Sequence, residues 1–367
     1  MMNNGSRFSM IFSQWKRITA TVTVVLLFSM PVWNSHAQDL KNVPMTINAT
    51  EWKLYTEKFL SPEGRIIDDA NGNISHSEGQ GYGLLLAVLA GRQDDFELIW
   101  TFTKTELLIR NDGLSAWKWD PGVRPHIVDT NNASDGDILI AYALTLAGRK
   151  WPNTEYLTYA HTIANTLLAK QIVVYNGETI LLPAIRGFSQ DDRKDGPIIN
   201  LSYWVFEAFP VLNEVAPSPK WNALKLSGLK LLSLSRFGSV KLPSDWISLG
   251  EKPMPANGFP PEFSYNNVRI PLYLVRVGNG ADQLTVDLTA AMTQNNGDVR
   301  LVNVQTDATV TSLSEPGYRI LNELVSCAKS GQRISAALKE FQPTHYYPST
   351  LHLLSLAYIK EVYPRCL

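Results

Sequence analysis

The chain has 367 residues, with 33 basic and 34 acidic side chains. Three of the cations, Arg7, Lys16 and Arg17, lie in an N-terminal leader, and without them 30 basic residues face 34 acidic ones. That balance supplies no basic stripe for a phosphate backbone, so it excludes a nucleic-acid partner, but it selects no substrate.

The three cations precede an apolar run over residues 18–32, and the segment ends in Ser35-His36-Ala37, a small-x-small site. This is the layout of a signal peptide cleaved after Ala37. The run is shorter than the roughly 20 residues that span a bilayer. An uncleaved anchor is the alternative, and no stable membrane insertion is expected after cleavage. Residues 38–367 hold no Pro/Ser-rich linker or charge run. They are expected to form a single domain, a secreted or periplasmic monomer.

Periodic apolar segments follow at 48–60, 78–91, 94–110, 134–149, 154–171, 201–214, 219–236, 264–277, 281–294, 316–330, 332–340 and 345–362. All read as helices, about twelve in total, and Pro271 is expected to kink the eighth. Twelve helices in one all-α domain suggest paired helices closed into a ring. The even-numbered segments share an opening, a hydroxyl residue beside a polar or aromatic one: Ser77-Glu78, Ser134-Asp135, Ser202-Tyr203, Ser264-Tyr265-Asn266, Ser314-Glu315 and Thr344-His345-Tyr346. If these helices form the inner ring, their N-termini gather on one face around one hollow. Periodicity alone does not fix that topology.

The most informative stretch opens the second segment: Ile74-Ser75-His76-Ser77-Glu78-Gly79-Gln80-Gly81-Tyr82-Gly83. Ser77 is placed as a helix cap, with Glu78 in the first turn. Gly79, Gly81 and Gly83 each cost up to about 1 kcal/mol relative to alanine. They let a bulky ligand or a neighbouring helix approach closely. A plain cap with an exposed glutamate is the alternative, and a site explains the glycines better.

Ser77-Glu78-Gly79-Gln80-Gly81-Tyr82-Gly83 resembles the motif that carries the general acid of glycoside hydrolase family 8. Ala133-Ser134-Asp135-Gly136-Asp137, Ile140-Ala141-Tyr142-Ala143 and Trp151 resemble that family's second signature. The similarity runs from about Trp52 to Tyr358 and looks nearest to the cellulases of cellulose-producing and cellulose-eroding bacteria. It implies an (α/α)6 toroid and an inverting β-glycanase with no cofactor. The histidines of the mature chain (His76, His126, His161, His345 and His352) are scattered, and no CxxC or HExxH motif supports a metal. Cys327 and Cys366 either pair in an oxidising compartment or remain two buried thiols.

Glycosidic cleavage by inversion needs a proton donor and a water-activating carboxylate roughly 6.5–9.5 Å apart. The resemblance makes Glu78 the acid. A helix N-terminus favours its charged form by about 0.3–1 kcal/mol, so burial and a nearby carboxylate must hold the proton on. Asp135 is the leading second carboxylate, opening the fourth helix on the same face. An ordinary capping group is the alternative, and Asp137 is placed as its structural partner.

The sequence departs from the family where many members carry Tyr-Asp-Ala-x-Arg. Here stands Tyr265-Asn266-Asn267-Val268-Arg269, and an amide cannot accept the proton, so the base is expected elsewhere. Asp135 is the first candidate for the base, with Glu262, Asp191, Asp192, Asp195 and Glu251 as others.

Long connections at 111–133, 172–200 and 237–263 are expected to serve function. Trp117 and Trp119 alternate in the first, as sugar-stacking platforms or as core plugs. Tyr203, Tyr265, Asn266 and Arg269 complete the substrate-binding candidates. Leu201, where family members often have proline, is a smaller departure. The expected partner is a β-1,4-linked polysaccharide. Three outcomes remain open: an endo-1,4-β-glucanase on cellulose, a related glycanase on chitosan, mixed-linkage glucan or xylan, and a non-catalytic glycan-binding cellulose-assembly protein. Only Asn266 favours the last, and Glu78 in its glycine setting opposes it.

Overall fold

The side chain of Asn48 accepts the Thr50 and Glu51 amides at 3.0 Å each, and Glu51 reaches back to the Asn48 amide at 2.9 Å. This capping box starts helix α1 (Ala49–Phe59). The computed structural model describes residues 43–367. The signal-peptide reading of residues 1–37 lies outside them.

Eleven further helices follow among the described residues: α2 (Ser77–Leu89), α3 (Gln93–Phe102), α4 (Ser134–Lys150), α5 (Thr154–Lys170), α6 (Ala208–Val215), α7 (Pro219–Leu234), α8 (Ile270–Leu274), α9 (Gln283–Met292), α10 (Pro316–Ser330), α11 (Ala336–Lys339) and α12 (Tyr346–Val362). Every residue of α2 except Glu78 is buried, and so is every residue of α4 from Ser134 to Gly148. Helices apolar on all sides belong inside a ring. The neighbour on the outside is one-sided: α5 buries Tyr156, Ala160, Ile163, Ala164 and Leu167, a single stripe.

The even helices close the inner ring. Helix α2 packs on α4, α4 on α6, α8 on α10, α10 on α12, and α12 on α2. Between α6 and α8 the link is made by two 3-10 turns, Leu201–Tyr203 and Asn267–Arg269. Among the odd helices, α3 covers α2, α5 covers α4, α7 covers α6, and α1 covers α12. The fold is the (α/α)6 toroid.

Two segments wind differently from expectation. The 201–214 stretch breaks after its 3-10 turn, because buried Trp204 turns inward to donate its indole N–H to the Leu224 carbonyl at 3.1 Å. Pro271 sits in the first turn of α8, where its missing N–H is harmless, and does not kink the helix. The run breaks further on, at Gly278, whose φ of +92° suits glycine.

The long connections carry short strands. Lys118–Trp119 pairs with Ser75–His76, and Ile198–Ile199 joins Ile247–Ser248 and Met254–Pro255. Glu262–Phe263 pairs with Val299–Asn303, which continues into the hairpin strand Thr309–Leu313. Among the described residues no helix is long and apolar enough to cross a membrane.

Cys327 and Cys366 form a disulfide across 39 residues, tying the C-terminal turn to α10. A loop of that length restricts the unfolded chain by about 4 kcal/mol at most. Replacing both cysteines by alanine is expected to remove about 2–4 kcal/mol, read as a lower urea midpoint. A midpoint matching the wild type would show that the bridge contributes nothing to stability.

Candidate active site

Helix α2 begins against the strand Lys118–Trp119. The Ser77 amide donates to the Trp117 carbonyl at 2.9 Å, and His76, not Ser77, is the cap: its Nδ1 accepts the Gly79 amide at 2.9 Å. Glu78 lies in the first turn, as expected. The glycines around it make room for neighbours rather than for a ligand. A Cβ on Gly81 would lie 2.6 Å from the Leu139 Cβ, and one on Gly83 would lie 2.5 Å from Ile66. On the facing helix, a Cβ on Gly136 would lie 2.1 Å from the Ser77 hydroxyl and 2.7 Å from the Glu78 amide nitrogen. The N-termini of α2 and α4 therefore meet backbone to backbone, and Glu78 and Asp135 are brought side by side.

Arg269 joins them. Its two terminal nitrogens reach Glu78 Oε2 at 2.7 Å and Asp135 Oδ2 at 2.5 Å, and its Nε donates to the Ser202 carbonyl at 3.1 Å. The guanidinium lies about the rings of Tyr203 and Tyr273, 5.7 and 5.9 Å from their centroids. Arg269 is 1% exposed, so it offers no face to a sugar. Its expected role as a substrate contact gives way to holding the two carboxyls.

The protonation of the pair follows from one cation facing two anions. Burial pushes Asp135 up to about 7, with Arg269 pulling it down and Glu78 pushing it further up. Burial acts on Glu78 in the same direction, but Arg269, His76 and a hydrogen bond from Asp135 outweigh it and hold Glu78 low. The proton belongs to the pair, and the pair keeps it to near neutral pH. Burial would lower His76, but Asp68, Glu78 and Asp135 raise it.

Asp135 is 1% exposed and hydrogen-bonded to Glu78, so the two carboxyls are in direct contact, nearer than the separation expected of an inverting acid and base. Asp137 is structural, accepting the Ser115 amide and hydroxyl at 2.8 and 2.7 Å and Asn132 at 2.9 Å.

The loop acids lie elsewhere. Asp192 binds the Ser189 hydroxyl at 2.7 Å, Asp195 pairs with Arg193 at 3.1 Å, and Asp195 and Glu251 line a separate pocket of about 930 Å³. Glu262 is half-buried on its strand, and its carbonyl accepts the Asp245 amide at 2.7 Å. Asp245 was not among the sequence candidates. It is 5% exposed, accepts the Ser264 amide at 2.9 Å, and accepts Asn266 Nδ2 at 3.1 Å. Its one sequence signal is its place before Trp246, inside a connection already long enough to suggest function.

The aromatic candidates separate. His126 stacks on Trp119 at 4.0 Å while the Arg65 guanidinium lies 4.6 Å from the same ring, so both faces are covered. The Trp119 indole donates to Glu106 at 3.2 Å. Trp119 is a plug. Trp117 stays half-buried, bonded to Asp129 at 3.0 Å with the flexible Lys118 over its ring at 5.5 Å. Tyr265 is 50% exposed, and half-buried Tyr203 meets Trp246 edge-on at 6.1 Å. Trp246 forms a cluster with Phe188 and Phe259, at 5.4 and 4.9 Å, and the two phenylalanines lie 6.5 Å from each other.

The helical toroid thus brings a carboxyl pair and its arginine to the N-termini of the inner helices, with the half-exposed rings of Trp117, Tyr203 and Tyr265 beside the same helix openings. The profile of Glycosyl hydrolases family 8 matches residues 20–361, and the chain belongs to that family and is a glycoside hydrolase. An endoglucanase of Cellulomonas uda is 38% identical over 63% of this chain, a match that spans 64% of its own length. A probable endoglucanase of Novacetimonas hansenii is 33% identical over 85% of this chain and 91% of its own. Among solved structures, the endoglucanase Cel10 of Klebsiella pneumoniae superimposes with a TM-score of 0.77, at 33% identity over 85% of this chain and 99% of its own. The endo-beta-1,4-glucanase CMCax of Acetobacter xylinum gives a TM-score of 0.73, at 32% identity over 85% and 98%.

The two tryptophans should respond oppositely to alanine. Trp119→Ala is expected to lower stability by about 2–4 kcal/mol, near the range for large aromatic truncations, with KM little changed. Trp117→Ala should raise KM several-fold with little change in melting temperature. The reverse ranking would return Trp119 to the cleft.

Proposed function

We propose that the chain is a secreted or periplasmic endo-1,4-β-glucanase that cuts internal bonds of cellulose or its soluble derivatives with inversion. The observation that carries this is the Glu78–Asp135–Arg269 cluster. Of the two carboxyls Glu78 is the more exposed, 17% against 2% for Asp135. Glu78 therefore delivers the pair's proton to the leaving oxygen, and Arg269 and Asp135 fix its direction. Support for the glucan substrate and the endo mode comes from the relatives named as endoglucanases. Related glycans (chitosan, mixed-linkage glucan, xylan) are the competing substrates. Asn266 favours a non-catalytic glycan binder, and the retained proton on the carboxyl pair speaks against it.

Release of reducing ends from carboxymethyl cellulose and the three competing polysaccharides, with wild type and Glu78→Gln, tests both readings. Glu78→Gln is expected to lose about 10²–10⁴-fold in kcat, the usual worth of general acid–base catalysis. Equal binding with no hydrolysis by the wild type would make the protein a lectin-like module. Inversion is tested by the anomer seen first by NMR.

The acid must be protonated, so kcat/KM should fall as pH rises through about 7, where the pair loses its last proton. An alkaline limb that Asp135→Asn leaves unmoved would remove Asp135 from the acid. Export predicts a mature chain beginning at Gln38. N-terminal sequencing of extracytoplasmic protein that begins at Met1 would defeat cleavage after Ala37.

A further inference from the structure

Hydrolysis with inversion requires a group that takes the proton of the attacking water. With Asp135 bound to Glu78, that group lies elsewhere, and the structure joins an amide, Asn266, three residues before Arg269, to a buried carboxylate, Asp245. We propose that Asn266 and Asp245 act as one general base, the amide relaying the water's proton to the buried carboxylate; this rests on the hydrolase reading above.

Three observations carry it. First, Asn266 Nδ2 donates to Asp245 Oδ2 at 3.1 Å, which turns the other end of the amide, the acceptor Oδ1, away from the carboxylate. Second, Asp245 is clamped. Its Oδ1 accepts the Ser264 amide at 2.9 Å, and the Asn267 amide donates to it as well. Third, Asn266 stands three residues before Arg269, whose guanidinium holds the acid pair. Tyr203 is near both: after burial, the charges of Asp135, Glu78 and Asp245 all raise its phenol. Asn266 is half-buried, at the mouth of the inner segment that ends in Arg269.

The atoms balance as follows. The water oxygen bonds to the anomeric carbon as the glycosidic C–O bond breaks, its electron pair going to the leaving oxygen. That oxygen takes a proton from Glu78, which in turn takes the one Asp135 shares with it. The water's proton bonds to Asn266 Oδ1 while one Nδ2 proton passes to Asp245 Oδ2, leaving the imidic acid tautomer. Afterwards the Oδ1 proton leaves to solvent, Asp245 returns its proton to the nitrogen, and solvent reprotonates the acid pair. Asn266 touches the reacting water and is catalytic, and Asp245 acts through it.

Asp245 must be ionised for this. Burial pushes it up to about 6, against the hydrogen bonds from Ser264, Asn266 and Asn267 and the charge of Arg269. The ionisable groups that face it are Arg269 and Tyr203, with Glu262 on the strand beside it. At neutral pH it is largely a carboxylate, yet basic enough to hold a proton.

The test compares Asp245→Asn, Asn266→Asp and the double variant on a substrate the wild type hydrolyses, with melting temperatures recorded. Asp245→Asn should lose about 10²–10⁴-fold in kcat with KM little changed, and the acidic limb near pH 6 should vanish. The double variant, with its carboxylate facing the water directly, should recover to within about tenfold of the wild type and regain an acidic limb. Three results would overturn the relay. One is Asp245→Asn with near-normal kcat and an unmoved acidic limb. Another is a folded double variant as inactive as Asp245→Asn. The third is activity lost only in step with melting temperature, which assigns Asp245 a purely structural role. In each of these, loss of activity in Glu78→Gln would leave the hydrolase reading intact. A wild type inactive on every glycan would remove that reading instead.

Discussion

One buried guanidinium answers two carboxyls, one sealed and one half-buried, and the chemistry of the protein depends on that imbalance. Two unit charges about 4 Å apart interact by about 4 kcal/mol at an effective dielectric near 20, while burying an ion costs several kcal/mol. A single Arg269 balances one carboxylate. A second anion beside the first has only His76 to help it, and with Asp135 sealed from water the pair keeps a proton. The acid is therefore supplied by a deficit of positive charge. A lysine would not serve, because only the planar fork of arginine places one nitrogen on Glu78 and another on Asp135 at once.

That imbalance needs Glu78 and Asp135 within reach of one side chain, and the approach of two helix ends provides it. Gly136 lies where any Cβ would enter the Ser77 hydroxyl and the Glu78 amide, and Gly81 lies against Leu139. Alanine at either place would push α4 off α2 at the level of the catalytic pair. Glycine inside a helix is unfavourable by about 1 kcal/mol, and the inner ring tolerates it because α2 and α4 are buried on every side. The seal and the close approach have the same origin.

Much of this was legible in the sequence, for local reasons. Helix periods and positions are set by short-range pattern, and the openings at Ser77-Glu78 and Ser134-Asp135 mark the helix ends that meet. What lay hidden depends on groups distant in the chain. Trp119 reads as a platform until Arg65 and His126 are seen on its two faces. Arg269 reads as a cleft residue until the fold encloses it. Asp245 has no motif of its own, and its meaning comes from a hydrogen bond to a residue 21 positions later. The cap at α2 was misplaced by one residue because a histidine ring, an uncommon cap, does the work of a serine.

The asparagine at position 266 then fits the charge pattern of the whole site. Arg269 is already committed to Glu78 and Asp135. A carboxylate at 266 would stand within hydrogen-bond reach of Asp245, a second pair of like charges, and no cation lies between those two positions among the contacts described. Such a pair would retain a proton of its own, and a base that holds a proton cannot take one. With an amide at 266, Asp245 faces a neutral donor and stays ionised near neutrality, while the acid pair a few residues away stays protonated. Two carboxyl groups with opposite protonation, set apart by one arginine and one amide, are the condition that acid and base catalysis in a single cleft demands.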